Sequence, residues 1–168
     1  MTETGTSKSD DGKAAATGPG ATARFRKDAS AGYLANHMAR LFFHGLHRRI
    51  HPMGLAPAQF MTLLELWQED GLTQRQLVDR LDVEQATMAN TLRRMERDGL
   101  VERRPHPDDA RSQQAWLTPA ALALRAPATT SAKDQNDAAL AALSEEEKAI
   151  FLDLMRRVIH TMRSNRDA

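Results

Sequence analysis

The sequence predicts a mainly α-helical protein with one small β-hairpin, and three observations carry that expectation. Apolar residues recur at spacings of three and four through most of the chain after residue 30, the period of a helix with one buried face. Two short helical stretches flank a tight Leu81-Asp82-Val83 turn and carry their own start and stop signals. Two apolar-bearing segments, 100–104 and 113–117, enclose a loop with Pro105, Pro107, Asp108 and Asp109, the pattern of paired strands.

Residues 1–28 are Thr, Gly, Ser, Ala and charges, which cannot bury enough surface to offset ordering entropy. A disordered tail is expected there, with a basic arm of Arg24, Arg26 and Lys27 as the alternative. A first helix over 32–51 follows from Leu34, Met38, Leu41, Phe42, Leu46 and Ile50, and stops before Pro52. Pro57 suits a first helical position, and Phe60, Leu63, Leu64 and Trp67 make a second stripe closed by Gly71. Thr73 with Gln76 reads as a capping box for a short third helix to Leu81. The fourth runs from Gln85 to Asp98 and stops at Gly99, a residue that enters the left-handed region at little cost. After the hairpin, Thr118 and Pro119 open a long helix toward Leu143, bent near Pro127. Ser144 with Glu147 caps a last helix bearing Ile150, Phe151, Leu154, Met155, Val158, Ile159 and Met162.

Composition narrows the function. The 168 residues make one domain, taken as 29–168. There is no run of about 18 apolar residues and no secretory leader at the start, so a cytoplasmic protein without a membrane partner is expected. The chain has no cysteine, which removes thiol chemistry and thiolate metal sites. A net charge of +1 gives no bulk attraction for nucleic acid, so any contact must come from arginines placed locally. No Gly-rich phosphate loop, G-x-S-x-G or H-E-x-x-H is present, which speaks against an enzyme, and no cofactor is expected.

The fourth helix has two unlike sides. At 100° per residue, Met88, Leu92 and Met95 fall within about 60° and face a core. Ala86, Thr87, Asn90, Arg93, Arg94 and Arg97 lie on the opposite side, and Gln85 at the helix start is taken with them as a DNA contact. Asn90 can offer a donor and an acceptor to adenine, Ala86 and the Thr87 methyl can touch a thymine methyl, and Arg94 and Arg97 reach phosphate or guanine. The competing reading is an ordinary solvated face paired with Glu96 and Asp98.

The stretch from Leu72 to Val101, with Asp109-Ala110-Arg111-Ser112 and Leu117-Thr118 after it, resembles the winged helix-turn-helix of the MarR family of bacterial transcriptional regulators. The resemblance extends over about residues 32–166. It implies a mainly α fold with a small β-hairpin wing, a winged helix-turn-helix over 56–117 with N- and C-terminal dimerisation helices at 29–55 and 118–168. It also implies a homodimer reading double-stranded DNA at a pseudo-palindrome, commonly as a repressor, with half-sites about 10 bp apart. By the same resemblance Arg111 enters the minor groove and Asp109 orients it.

Two residues depart from the family pattern. Glu84 stands where a serine is common, a repulsive neighbour for phosphate unless it caps the helix, and Ala110 replaces a second wing arginine. Residues 73–111 hold equal numbers of basic and acidic side chains, so modest, salt-sensitive affinity is expected.

The resemblance further implies a small aromatic or anionic effector between the dimerisation helices and the reading lobe. For its site the first helix offers His37, Arg40, Leu41, His44 and Arg48 on one arc, with Phe60, Leu63, Leu64 and Trp67 as walls. The bland reading of both sets is dimer seam, solvent and core. Two alternatives stand beside this one. A divalent-metal-responsive regulator would use His44, His47 and His51, although no metal site is assigned and Arg48 and Arg49 would repel a cation. A winged helix could instead serve protein contact only, in which case Asn90→Ala and Arg111→Ala change nothing. Trp116 is left between packing on a helix and lying near DNA.

Overall fold

The computed structural model describes residues 26–166. Their elements run α1 (Ala31–Ile50), α2 (Pro57–Leu66), β1 (Leu72–Thr73), α3 (Gln74–Leu81), α4 (Gln85–Arg97), β2 (Val101–His106), β3 (Asp109–Leu117), α5 (Pro119–Ala139) and α6 (Glu145–Arg166). Of the expected tail, residues 26–28 enter or precede a 3-10 turn, Lys27–Ala29. The remainder, with Arg24, lies outside the described residues.

Helices α2, α3 and α4 and the sheet form a lobe around Leu63, Leu66, Leu77, Met88, Leu92, Met95 and Val101, all buried. Each boundary has a local cause. Thr73 Oγ1 accepts from Gln76 N at 3.3 Å while Gln76 Oε1 accepts from Thr73 N at 2.8 Å, so the capping box satisfies two donors at the start of α3. Asp82 stops α3 in the left-handed region, φ +53°, which Asp tolerates better than most side chains. Gly99, φ +69°, ends α4 in a Schellman motif: Leu100 N donates to Met95 O at 2.8 Å and Gly99 N to Glu96 O at 3.1 Å.

The wing is longer than its sequence pattern suggests. β2 and β3 pair antiparallel from Val101↔Leu117 to Pro105↔Gln113, leaving Pro107 and Asp108 as the turn, so Pro105 and Asp109 are strand residues rather than loop. The register is irregular between Pro105 and His106, where a proline has no N–H to give a ladder. A third strand, β1, is too short to show alternation; it pairs with β3 through Leu72↔Ala115 and makes the sheet order β1-β3-β2. Asp70 Oδ1 accepts from Leu117 N at 2.9 Å and fastens this sheet to the end of α2.

Helices α1 and α5 pack together outside the lobe. A Cβ at Gly45 would lie within 2.5 Å of the Gln135 side chain, so the glycine permits their approach. Arg49 Nε donates to Gln135 Oε1 at 3.2 Å beside it. The lobe joins α5 through Trp67 Nε1, which donates to Ala121 O at 3.1 Å. It joins again through Thr118 Oγ1, which donates to Gly99 O at 2.7 Å and accepts from Ala121 N. α5 continues as one helix through Pro127 and ends at Ala139 rather than near Leu143. Ser144 and Glu147 cap α6 reciprocally. Its apolar stripe is left in the open, with Ile150, Val158 and Met162 at 60%, 58% and 69% exposure.

Candidate nucleic-acid interface

The helical period sorts α4 as expected: Met88, Leu92 and Met95 are 2%, 3% and 0% exposed, whereas Gln85, Ala86, Thr87, Asn90, Arg93, Arg94 and Arg97 are all exposed. The outer face is also pre-arranged. Arg93 Nη1 donates to Asn90 Oδ1 at 2.8 Å, which holds the Asn90 amide and leaves its NH2 outward for a further acceptor. Arg97 Nε donates to Asp98 Oδ1 at 2.8 Å, and Gln59 Nε2 donates to Asp98 Oδ2 at 2.8 Å. Those hydrogen bonds, Arg97 first, hold the Asp98 carboxyl below its ordinary value. Among the described residues no carboxylate pairs directly with Arg75, Arg93, Arg94 or Arg111, so this side carries local positive charge within a nearly neutral chain.

The wing and α4 enclose a polar groove of about 370 Å³ lined by Gln74, Arg75, Gln85, Arg103, Arg111 and Gln113, among others. Arg111 thus sits opposite the start of α4. Asp109 Oδ1 accepts from the Arg111 main-chain N at 3.0 Å; the carboxylate braces the strand rather than gripping the guanidinium. Gln74 Nε2 donates to Gln85 Oε1 at 3.0 Å and ties the first turns of α3 and α4. The sequence pattern does not single out Gln74 and Arg75, although both directly follow the capping Thr73 and so belong to the first turn of α3. Arg104 and Trp116 stack at 5.3 Å, and the Trp116 ring covers Gly71, where a Cβ would lie 2.6 Å from it. Trp116 is therefore wing packing. Glu84 holds the N-cap position of α4 without any side-chain cap, so the capping role that would soften its charge does not operate.

The MarR family model matches residues 55–113, which span α2 through most of the wing. The transcriptional regulator HosA of Escherichia coli O111:H- is 30% identical over 106 residues, covering 63% of this chain and 78% of HosA. The chain belongs to the MarR family. It is a DNA-binding transcriptional regulator and not an enzyme. The HTH-type transcriptional repressor Mb2911 of Mycobacterium bovis is 30% identical over 133 residues, 78% of this chain and 94% of that one. Among solved structures, the PcaV transcriptional regulator of Streptomyces coelicolor in complex with its natural ligand superposes with TM-score 0.71 at 28% identity, covering 82% of this chain and 97% of PcaV. No helix among the described residues is long and apolar enough to cross a membrane.

Between the lobe and its outer helices this MarR-family chain has an open cavity of about 710 Å³, walled by Phe42, Phe43, Leu46, Phe60, Met61 and Leu64 with Lys133 and Asn136 on the α5 side. It takes only part of the expected effector set. Phe60 and Leu64 line it; Leu63 is wholly buried behind them, and Trp67 is buried with its N–H spent on Ala121. His37, Arg40, Leu41, His44 and Arg48 do not line it and are exposed. At 100° per residue they lie roughly opposite Ala39, Phe42, Phe43 and Leu46, the α1 residues that do. The polar arc therefore lies on the flank of α1 away from this cavity, because α2 and α5 cover α1 from the other side. The three histidines likewise do not converge. His47 and His51 rings meet edge-on at 5.0 Å, His44 stands against Phe43, and the described residues hold no group of three or more ligating side chains fit for a metal ion.

Proposed function

We propose that the protein is a homodimeric, effector-responsive repressor that acts in the cytoplasm on a pseudo-palindromic operator. Residues 56–117 form its reading lobe, and 29–55 with 118–168 form its dimerisation part. Asn90 and Thr87 read base edges in the major groove, with Gln85 and Ala86 beside them. Arg93, Arg94 and Arg97 serve the backbone or guanine, and Arg111, on a strand braced by Asp109, serves the minor groove. The observation that carries this reading is the exposed α4 face set beside Arg111 across a polar groove, with Asn90 already oriented by Arg93. Repression is supported by the likeness to Mb2911.

The test is a duplex selected from random sequence by the protein, titrated against an unselected duplex at fixed salt. Asn90→Ala is expected to lose about 1 to 3 kcal/mol of discrimination. Equal weakening on both duplexes contradicts the base-reading role.

The effector belongs in the apolar cavity between α1, α2 and α5, a reading supported by its walls and by the likeness to a ligand-bound PcaV. The arginines expected to meet a carboxylate are elsewhere, and the Lys133 ammonium is paired with Asp137 at 2.5 Å. An aromatic ligand with little formal charge fits this lining better than an anion. In a thermal-shift screen, such a ligand at 100 times its Kd stabilises by about 2.7 kcal/mol.

A further inference from the structure

The first residues of α3 and α4 are both glutamines, and they meet. Gln74 Nε2 donates to Gln85 Oε1 at 3.0 Å and to the Gln85 main-chain O at 3.3 Å, so one amide holds both the side chain and the backbone of the residue that opens α4. Gln74 is half-buried and Gln85 exposed, and both line the polar groove that Arg111 lines from the wing. At 100° per residue Gln85 falls on the Met88 and Leu92 side of α4 rather than with Asn90. Side chains tilt toward the N-terminus of their helix, so from the first position Gln85 reaches past the helix start instead of into the core. That end of a recognition helix is the one that meets base edges.

The contact also fixes polarity. A carboxamide has two acceptor sites on its oxygen and two N–H donors. With Gln74 on Oε1, Gln85 keeps an acceptor site and its N–H groups for another partner, and turning the amide round would set its NH2 against the NH2 of Gln74. A free glutamine must freeze its torsions on binding and can show either order of donor and acceptor; this one is set beforehand. In the major groove adenine places its N7 acceptor beside its N6 donor, which matches an N–H and an oxygen side by side. Guanine instead sets a second acceptor, O6, against Oε1.

We propose that Gln74 is a positioning residue that fixes the Gln85 carboxamide to read an adenine in the operator, apart from the base met by Asn90. It rests on the reading of α4 as the helix that lies in the major groove. Gln74 then sets specificity from α3 without itself meeting a base.

The test titrates full-length protein against the selected duplex and against duplexes carrying each other base pair at each position in turn. Gln85→Ala locates the position: wild type is expected to favour A·T there by about tenfold, and Gln85→Ala to show no preference. Gln74→Met keeps the length of the side chain without its hydrogen bonds. It is expected to cut that preference to about twofold or less, with the preference that Asn90→Ala removes left intact. Gln74→Glu can only accept, so it takes an N–H of Gln85, reverses the order of donor and acceptor, and is expected to lose the A·T preference as well. Gln76→Glu adds the same charge to the same turn while preserving the capping box with Thr73, and is expected to weaken all duplexes alike and keep the preference. A tie that only joins the two helices would lower the thermal midpoint and every affinity together. An unchanged base profile in folded Gln74→Met and Gln74→Glu therefore overturns the proposal, as does a Gln85→Ala profile identical to wild type or a base other than adenine at the position it exposes. Wild type that binds every duplex equally would instead sink the base-reading function of α4 itself.

Discussion

Glu84 is the residue whose replacement separates folding from recognition most simply. It occupies the N-cap of α4, makes no cap hydrogen bond, and holds a carboxylate at the end of the helix nearest the proposed DNA bases. A serine there accepts from the first turn and removes the repulsion. Glu84→Ser is expected to raise stability by about 0.5 to 1 kcal/mol and to tighten DNA binding as well, measured by thermal unfolding and by anisotropy. A stability gain with unchanged DNA affinity would place Glu84 away from the phosphates. At Gly71 the cost is steric and conformational together: φ is +75° and a Cβ would strike the Trp116 ring. Gly71→Ala is expected to lose about 2 kcal/mol or more in denaturant unfolding. Much of this scale was legible in advance, since Gly71, Gly99, Thr73 and Ser144 announce their turns and caps through their own chemistry. The role of Trp116 was not, because its partners Gly71 and Arg104 are set by strand register rather than by neighbours in sequence.

Helices were legible where one face meets one partner. The α4 period separated Met88, Leu92 and Met95 from Asn90 and the arginines without ambiguity. On α1 the same method selected the flank away from the apolar cavity, because the helix has two apolar neighbours, α2 and α5, and periodicity cannot say from which side each arrives. β1 escaped notice because two residues carry no period, and only its partner β3 defines it. The contact between α6 and the α3–α4 turn is a further long-range feature. Arg163 Nε donates to Asp82 Oδ2 at 2.6 Å, Arg163 Nη2 donates to Arg80 O at 2.9 Å, and Arg166 Nη1 pairs with Asp82 Oδ1 at 2.8 Å. Desolvation alone would raise the Asp82 carboxyl, but the two arginines outweigh it and leave the group below its ordinary value.

A depressed carboxyl contributes stability that is complete above the ordinary value near pH 4 and is lost as pH falls through the lower folded one. Thermal stability is therefore expected to be flat with respect to this contact above about pH 5 and to fall in more acid solution. Asp82→Asn should make that acid fall shallower while costing less than about 1 kcal/mol at pH 7, since the pair is partly exposed. An unchanged acid limb would show that the contact adds nothing to folding.

At the scale of the whole molecule, a single chain leaves too much apolar surface in water. Leu34 and Leu41 on α1 are 49% and 61% exposed, and the α6 stripe from Ile150 to Met162 finds no cover within the described chain. A contiguous apolar face of that kind marks an association surface. The exposed α1 and α6 residues support the proposed homodimer, in which two-fold symmetry would display two α4 faces at once. A paired charge change, Val158→Asp with Met162→Asp, is expected to give a folded monomer, because both side chains lie outside the lobe core.

The most direct test of this account is the mass of the protein bound to its selected duplex, measured by sedimentation for wild type and for that double variant. Two chains per duplex are expected for wild type, with the double variant monomeric and unable to discriminate the selected duplex from an unselected one. One wild-type chain per duplex with full discrimination would contradict it.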